Sequence, residues 1–568
     1  MDLVDTASDD PVQPAAETAE TANQEIATAL EAGQAEEAAR LMEAALARWP
    51  QSSRLQLTKG EVLHKQAGGA TAALYYTTLL DERPSHAWAV GRLRQLLPDC
   101  RLSEVEAIAI AQAILASKAS DAERPGLFDA LLKSLGAEAH LTFLRAVAPG
   151  SRLFRLEWKL AVAETEGANV EAAIDMLEKA RAEGRSNDMA VSLLSDLLGV
   201  VSRDDEAIDL LKQAVERDPD RPDPYRRLVN FLQRTNDFKQ AGEVIESAFE
   251  RWPNDWMLLF RLNRLPVEPE RLKSIFHKIS PTADATAMRD ERFRFLFSLA
   301  CLHVGEVERA VALLSEPFTA PVDAMANPVI KALGARSVEF WKGATRLKDN
   351  RTQDVQVTRA EGARLTVIVP TGIAFGYLPP AMLDALFAEH NVNAIYLRDF
   401  RKRAYRTGVI SLGRDEAETI RTLKRLAASL GPERLVTMGG SMGGFAALRY
   451  GALLEAYAAL SFAGPTELFS TYQTTKPTIW NPNFFTRLMM ERESELPNDL
   501  VPLLRSSEKT RFFQFFGEGL AADERQARRL EGLPNVSVMP VRGVNDHIVA
   551  DHMIGDGSFD AMLRLMVG

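Results

Sequence analysis

The chain has 568 residues, of which 46% are hydrophobic and 26% charged, and its formal net charge is −11 at pH 7. This length exceeds what one hydrophobic core supports, so about two to four domains are expected. A general nucleic-acid-binding protein carries a basic surplus, so the acidic balance argues against that class. The only cysteines, Cys100 and Cys301, exclude a disulfide framework and argue against a zinc site.

The N-terminal residues 1–19 are acidic and polar. They contain neither the basic start nor the apolar core of a secretory signal. No apolar run in the chain approaches the roughly 18 residues that a membrane span needs. These features predict a disordered acidic N-terminus over 1–19 and a cytoplasmic protein without a membrane span.

An alanine placed twelve residues before a helix-ending proline or glycine recurs along the first half of the chain. The pairs are Ala38–Pro50, Ala72–Pro84, Ala172–Gly184, Ala207–Pro219 and Ala241–Pro253, and Ala310 follows two periods after Ala241. Neighbouring alanines lie 34 or 35 residues apart. Alanine lets two helices approach closely, and proline ends the second helix of each pair. The pattern predicts an all-α repeat domain over 20–320.

This 34-residue period resembles that of the tetratricopeptide repeat family. The resemblance implies about six to eight helix pairs stacked into a solenoid, whose concave surface binds a protein partner. The alternative is an irregular helical bundle in which the period is accidental. Residues 321–353 are expected to form a linker and packing segment between the two halves of the chain.

From residue 354 onward, short β-branched and apolar runs alternate with helical stretches. This alternation predicts βαβ units and a doubly wound, mainly parallel sheet over 354–568. The first two runs are separated by a short polar segment and are expected to form a hairpin. The predicted strands are 354–358, 364–370, 393–399, 434–438, 457–464, 511–517 and 536–541.

The segment Gly439-Gly440-Ser441-Met442-Gly443 lies between a predicted strand and a predicted helix. A G-x-S-x-G segment in this context resembles the nucleophile elbow of the α/β-hydrolase family. In such an elbow the serine is strained, and Gly439 and Gly443 are required because larger side chains would collide with backbone. The alternative interpretation is a glycine-rich turn with a capping serine.

A serine hydroxyl needs a base to accept its proton. In the family that the elbow resembles, the chain order is serine, acid, histidine. Only His547 and His552 follow Ser441. His547 comes after the last predicted strand, where the family carries its catalytic histidine, whereas His552 lies in the following helix and is expected to be a packing or surface residue.

The acid of the triad has three candidates. The preferred one is Asp523, in the segment after the strand 511–517; Glu518 is the alternative closer to the strand end, and Glu467 follows the preceding strand. The family's common aspartate position is occupied here by Leu520. An ordinary helix-capping role is the competing explanation for Asp523.

The resemblance also supplies two oxyanion donors, the backbone N–H groups of Met442 and Ile373. The segment 465–508 is expected to form a cap over the nucleophile. A basic cluster, 400–406, could hold an anionic substrate group or contact a partner, but a solvated loop is the simpler interpretation. No metal or organic cofactor is implied.

Together these features predict a serine hydrolase that acts on an acyl ester or thioester, with a repeat region for protein interaction. Two alternatives use the same residues differently. The first is a catalytically inactive hydrolase-fold scaffold whose solenoid binds a protein partner. The second is an acyltransferase that passes the acyl group to an acceptor other than water.

Overall fold

The computed structural model describes residues 18–82, 86–343, 346–371, 376–471, 478–479, 484–492 and 495–568. The chain separates into two compact units, Met1–Ala190 and Val191–Gly568. Across the described ranges, no helix combines the length and the apolar character needed to cross a membrane.

The described part of the first unit is helical. Its helices are α1 (Ala19–Glu31), α2 (Ala35–Arg48), α3 (Ser53–Ala67), α4 (Gly69–Thr78), α5 (His86–Leu96), α6 (Glu104–Ala116), α7 (Arg124–Lys133), α8 (Ala137–Ser151), α9 (Phe154–Glu166) and α10 (Val170–Ala182). Thr18 and Ser103 cap α1 and α6, each through a reciprocal pair of side-chain and backbone hydrogen bonds. Most helices that are adjacent in sequence pack against each other, as expected of a repeat array, and the pairs α4–α6, α5–α7 and α6–α8 also pack.

Helical repeats continue into the second unit. Their helices are α11 (Asp188–Val200), α12 (Asp204–Arg217), α13 (Pro222–Arg234), α14 (Phe238–Arg251), α15 (Trp256–Leu262), α16 (Pro269–Ala287), α17 (Glu291–Val304), α18 (Val307–Ser315), α19 (Val322–Gly334) and α20 (Val338–Gly343). Helices α19 and α20 lie in the segment 321–353 that was expected to be a linker. The helices α1–α20 confirm the prediction of an all-α repeat region.

The recurrent alanines occupy helix–helix contacts. Five of the six predicted positions, Ala38, Ala72, Ala207, Ala241 and Ala310, have no exposed surface. The sixth prediction, Ala172, is wrong by one residue, because the fully buried alanine of that helix is Ala173. A helix rotates by about 100° per residue, so a shift of one position moves a side chain off the contact face.

The remainder of the second unit contains a sheet in the order β1-β3-β2-β4-β5-β6-β7. The strands are β1 (Val355–Thr358), β2 (Leu365–Thr371), β3 (Asn393–Arg398), β4 (Arg434–Gly440), β5 (Ala458–Phe462), β6 (Arg511–Gly517) and β7 (Val536–Val541). All neighbours pair in parallel except β1, which is antiparallel to β3. The mainly parallel sheet is confirmed, but the predicted hairpin of the first two strands is wrong, because β1 pairs with β3.

Helices cover the sheet, and one helix of the repeat region packs against one of these helices. The helices are α21 (Pro380–Glu389), α22 (Glu416–Ala428), α23 (Met442–Leu454), α24 (Leu468–Thr471), α25 (Phe484–Arg492), α26 (Val501–Arg505), α27 (Ala521–Arg528), α28 (Val549–Gly555) and α29 (Ser558–Val567). The predicted single last helix is two helices, separated at Gly557, whose φ is +79°. Helix α19 of the repeats packs against α28, so the repeats after Val191 and the sheet share one compact unit.

Candidate active site

Ser441 occupies the single residue between β4 and α23. Its backbone adopts φ 53° and ψ −127°, a combination that is strained for any residue other than glycine. The Ser441 N–H donates to the carbonyl of Phe462 on β5, at 2.9 Å, which fixes the crossover. Strain held in place by surrounding structure is common at functional sites.

The glycines on either side of Ser441 bring two backbone segments together. A Cβ on Gly439 would overlap the carbonyl group of Gly443, so this position accepts no side chain. The close approach places the first turn of α23 directly after the strand. Because the first N–H groups of a helix have no acceptor within the helix, the Met442 N–H is available as a donor beside the Ser441 hydroxyl.

His547 and Asp523, which come from different loops, form a hydrogen-bonded pair. His547 follows β7, and Asp523 lies in the first turn of α27. The Asp523 carboxylate accepts from Nδ1 of His547 at 2.8 Å. The Asp523 side chain is 12% exposed and the His547 side chain 41%, so the acid is sheltered while the imidazole remains accessible. In the described part of the chain, no hydrogen bond joins the Ser441 hydroxyl to His547.

The other candidate acids have different surroundings. Glu518 is exposed, and its backbone N–H donates to the carbonyl of Val541. Glu467 accepts from the backbone N–H of Phe469 at 2.6 Å. His552 is mostly buried, and its Nε2 lies 2.8 Å from the Asp546 carboxylate. Of the three candidate acids, Asp523 is the one that the fold pairs with His547.

The loop that follows β2 is held by a buried carboxylate. Ile373, the predicted second oxyanion donor, lies outside the described residues. After the gap, the Tyr377 N–H donates to Asp551 of α28 at 2.7 Å, and a Cβ on Gly376 would overlap that carboxylate. Burial raises the pKa of Asp551 to about 7. Asp551 therefore fixes the end of the predicted oxyanion loop.

A cavity of about 460 Å³ lies between the repeats and the sheet of the second unit. Its sheet side includes Thr371 and Tyr377 around the loop after β2, and Met442 beside Ser441. Thr486, on α25 within the predicted cap 465–508, also lines it. The volume is in the range of a small-molecule site.

The repeat helices supply the opposite wall of this cavity, which the sequence analysis did not foresee. The lining residues from the repeats include Asn230, Gln233, Phe238, Phe260, Arg261, Arg264 and His303. Nothing in the local sequence marks these residues, because they come from helices α13, α14, α15 and α17 and from the segment after α15. Only the packing of the repeats on the sheet brings them to the cavity.

The basic cluster 400–406 is folded rather than solvated. Ala404, Tyr405 and Arg406 are at most 4% exposed, so the solvated-loop interpretation is wrong for them. The Tyr405 N–H donates to the Asp399 carboxylate at 2.9 Å, and Lys402, Ala404 and Tyr405 all have positive φ. We name residues 399–406 the basic loop. Phe400 and Lys402 of this loop line the cavity.

One other cluster has the spacing of metal ligands. Glu389, His390 and Asp560 place one ligand atom each within 4.8 Å of the others. However, Arg336 lies 2.9 Å from both carboxylates, and His390 lies 2.8 Å from Asp560. A guanidinium already neutralises these acids, so the cluster is an ion-pair network linking the repeats to the sheet domain.

Comparisons with known proteins agree with this architecture. The tetratricopeptide repeat family model matches residues 205–255. No curated protein matches the chain. The chain therefore joins a tetratricopeptide-like repeat region to a domain with the strand order and elbow of the α/β-hydrolase fold.

Several solved structures are similar to parts of the chain. The capsule O-acetyltransferase of Neisseria meningitidis serogroup A is 15% identical over 37% of this chain and 92% of its own, with a TM-score of 0.29. An alpha/beta hydrolase from a sediment metagenome of the Mar Chica lagoon, Morocco, is 16% identical over 38% of this chain and 94% of its own, with a TM-score of 0.25. Yeast Tom70 is 12% identical over 56% of this chain and 89% of its own, with a TM-score of 0.27.

Proposed function

We propose that the chain is a serine hydrolase that cleaves an acyl ester or thioester. Ser441 is the nucleophile, His547 the general base, and Asp523 the acid that orients the imidazole. The Met442 N–H is one oxyanion donor, and Ile373 is retained as the second from the family resemblance. Gly439 and Gly443 permit the elbow that exposes the serine.

The observation that carries the proposal is the 2.8 Å contact between Asp523 and Nδ1 of His547. With Nδ1 held by a carboxylate, Nε2 is the nitrogen left to accept the serine proton. This arrangement is the triad logic, in which the acid fixes both the tautomer and the orientation of the base. The hydrogen bond between serine and base is often loose in unliganded enzymes and tightens when substrate binds.

The reaction follows in two steps. The Ser441 oxygen forms a bond with the acyl carbon while Nε2 of His547 takes the hydroxyl proton, and the backbone donors stabilise the oxyanion. The imidazolium returns its proton to the leaving alcohol or thiol, and an acyl-serine remains. Water, deprotonated by His547, then attacks the acyl carbon, and the carboxylic acid leaves as Ser441 recovers its proton.

A fluorophosphonate probe tests this directly. Such probes react only with an activated serine, so the folded wild-type chain should be labelled and the Ser441→Ala variant should not. Mass spectrometry of the labelled peptide identifies the modified residue. A folded protein that resists the probe would favour the inactive-scaffold alternative. Adding an alcohol acceptor to an ester substrate and measuring ester product separates acyl transfer from hydrolysis.

The family match at 205–255 also supports a protein-binding role for the repeat region. Tetratricopeptide-like arrays present extended concave surfaces that bind partners. The test is affinity purification with the full chain, followed by reconstitution from purified components. Failure of every reconstituted pair to form a complex would contradict this role.

A further inference from the structure

The cavity beside Met442 contains an unusual concentration of positive charge. Its lining includes five cationic side chains, Arg261, Arg264, Arg351, Arg398 and Lys402. Two of them belong to the repeats, and the other three come from the segment that leads into β1, the end of β3 and the basic loop. The chain as a whole is acidic, so this concentration is local rather than a consequence of composition.

Most of these cations have no carboxylate partner. Arg398 pairs with Asp349 at 2.5 Å. For Arg261, Arg264, Arg351 and Lys402, no ion pair with a carboxylate forms among the residues that the structure describes. Asp399 also lines the cavity, but its carboxylate accepts backbone N–H groups of the basic loop.

Arg351 illustrates the cost of this arrangement. It is 7% exposed and donates to the carbonyls of Asn263 at 2.9 Å and Leu262 at 3.2 Å. Burial lowers the pKa of Arg351 to about 10. The nearby Asp349 acts on Arg351 but bonds to Arg398, so the hydrogen bonds of Arg351 go only to neutral carbonyls. Removing such a charge from water is expensive unless an anion accompanies it.

The two repeat arginines are in a similar state. Burial, together with the nearby Arg227 and Arg226, lowers the pKa of Arg261 to about 10. Burial also lowers the pKa of Arg264. The guanidinium of Arg264 lies 3.6 Å from the ring centroid of Phe260, which orients its planar donors. Asp223 and Asp196 act on Arg261 from a distance, but neither Arg261 nor Arg264 forms an ion pair with a carboxylate of the described residues.

Lys402 adds a further cation to the lining of the cavity, and His303 adds a neutral imidazole. Lys402 lines the cavity and is an exposed residue, although the surrounding protein partly desolvates its ammonium group. Burial and the nearby Arg234 lower the pKa of Lys402 to about 8. Burial, with Arg351 and Arg264 nearby, holds the pKa of His303 well below its ordinary value, so this imidazole is neutral and offers one donor and one acceptor.

An aromatic pair closes one side of the cavity. Phe238 of the repeats contacts Phe400 of the basic loop edge to face, with ring centroids 4.7 Å apart. Both rings line the cavity together with Phe260. An apolar wall beside oriented guanidinium groups suits a ligand that carries an anionic group on an organic body.

We propose that this cavity binds a phosphate group of the substrate, so that the enzyme acts on a phosphorylated acyl ester or thioester. The inference rests on the proposed function for the identity of the reacting group. Phosphate is favoured over carboxylate because it carries up to two charges and three acceptor oxygens, which several converging arginines can bind at once. Met442 lies in the same lining, so a phosphate held by Arg261, Arg264 and Lys402 places the rest of the substrate at the elbow.

Isothermal titration with inorganic pyrophosphate tests the cavity independently of catalysis. The full-length Ser441→Ala protein should bind pyrophosphate, and Arg264→Gln or Arg261→Gln in that background should weaken binding by about tenfold to hundredfold, the usual worth of a charged hydrogen bond. Arg264→Lys, which keeps the charge, should retain more affinity than Arg264→Gln. The matched control is Arg251→Gln, an exposed repeat arginine paired with Asp220, which should leave the affinity unchanged.

Circular dichroism melting confirms that each variant is folded. Equal pyrophosphate affinity in wild type and both glutamine variants, or tighter binding of malonate than of pyrophosphate, would overturn the phosphate assignment. Labelling of Ser441 by fluorophosphonate without any pyrophosphate binding would leave the hydrolase proposal standing and remove this one. The reverse result, arginine-dependent pyrophosphate binding with an unreactive Ser441, would support the anion site and contradict the hydrolase proposal.

The final arm compares substrates. A short acyl ester bearing a phosphate group should be hydrolysed with a kcat/KM at least about tenfold higher than its neutral counterpart of similar size. Arg264→Gln should reduce that ratio. A ratio near one in the wild-type enzyme would contradict a substrate phosphate at this site.

Discussion

Exposed repeat arginines form ion pairs in both units, as Arg251 does in the second, but Arg261 and Arg264 have different surroundings. In the first unit, Arg92 pairs with Glu61 at 2.5 Å and Arg54 pairs with Glu20 at 2.6 Å, and all four side chains are exposed. In the second unit, Arg261 and Arg264 line a cavity. Neither forms an ion pair with a carboxylate of the described residues. Exposed pairs of this kind contribute little to stability, whereas oriented cations without partners favour an anion.

The same architecture therefore supports two uses. Helix pairs stack through buried small residues such as Ala72 and Ala241 in both units. This leaves the remaining faces open to variation, because stacking does not depend on them. Where a repeat faces the sheet domain, those faces become part of a substrate site, and the repeat region is more than a platform for partners.

On the proposals made above, the sheet domain cleaves the bond and the repeats select the substrate. The largest effect on activity should therefore come from a substitution in the sheet domain. Asp523→Asn should lower kcat by about 10³- to 10⁴-fold for every substrate, because the amide no longer holds the imidazole in the productive tautomer. The measurement is steady-state hydrolysis of neutral and phosphorylated esters. Glu518→Gln is the matched control and should leave kcat unchanged. An equal loss in both variants, or a loss confined to phosphorylated esters, would break the division of roles.

A smaller effect should appear in the pH dependence of anion binding. The Lys402 pKa is about 8, and the charged or titratable groups that act on it are Arg234, Asp399 and Asp204. As pH rises from 7 to 9.5 the ammonium loses its proton, so pyrophosphate affinity should fall by about tenfold relative to Lys402→Arg, which stays charged. Titration calorimetry of both proteins at each pH cancels the ionisation of pyrophosphate itself. Parallel pH profiles would show that Lys402 does not contact the anion.

The smallest expected effect concerns helix packing, in which small buried residues lie between helices in both units. A Cβ on Gly60 would overlap the ring of Tyr76, which is buried and donates to the Leu57 carbonyl. Gly60→Ala should therefore destabilise by about 1–3 kcal/mol and lower Tm by a few degrees in scanning calorimetry.

The second-unit counterpart is Gly242, where a Cβ would meet the flexible side chain of Arg271. Gly242→Ala should change stability by no more than about 1 kcal/mol, because the arginine can move and alanine favours the helix. A loss at Gly242 as large as that at Gly60, or no loss at Gly60, would show that the mobility of the contacted side chain does not decide which glycine is required.

Local patterns predicted most of the sheet. The seven predicted strands agree with β1–β7 to within about two residues, because buried parallel strands are continuous apolar runs with polar or glycine boundaries. The pairing of β1 with β3 was missed, since strand order depends on contacts distant in sequence. The helix break at Gly557 was missed because the apolar period continues on both sides of the glycine.

The elbow could be located because its geometry is local. Ser441, Gly439 and Gly443 lie within five residues, and the strand and helix around them have clear sequence signatures. The partnership of Asp523 with His547 was a choice among three acids that the sequence left open. Of the cavity cations, Lys402 had a sequence signal as part of the basic cluster 400–406. Arg261, Arg264, Arg351 and Arg398 had none, because they line one cavity only when the repeats pack on the sheet.

The shared cavity has a consequence for how this architecture can change. One wall belongs to the sheet domain and includes Met442, next to Ser441, and the other is built from repeat side chains such as Asn230 and Arg261. Replacing these repeat side chains is expected to leave the stacking of the helices intact. Substitutions on the repeat wall can therefore change which molecule is bound without changing the proposed catalytic residues of the sheet domain. Related chains can thus differ in substrate while sharing one reaction.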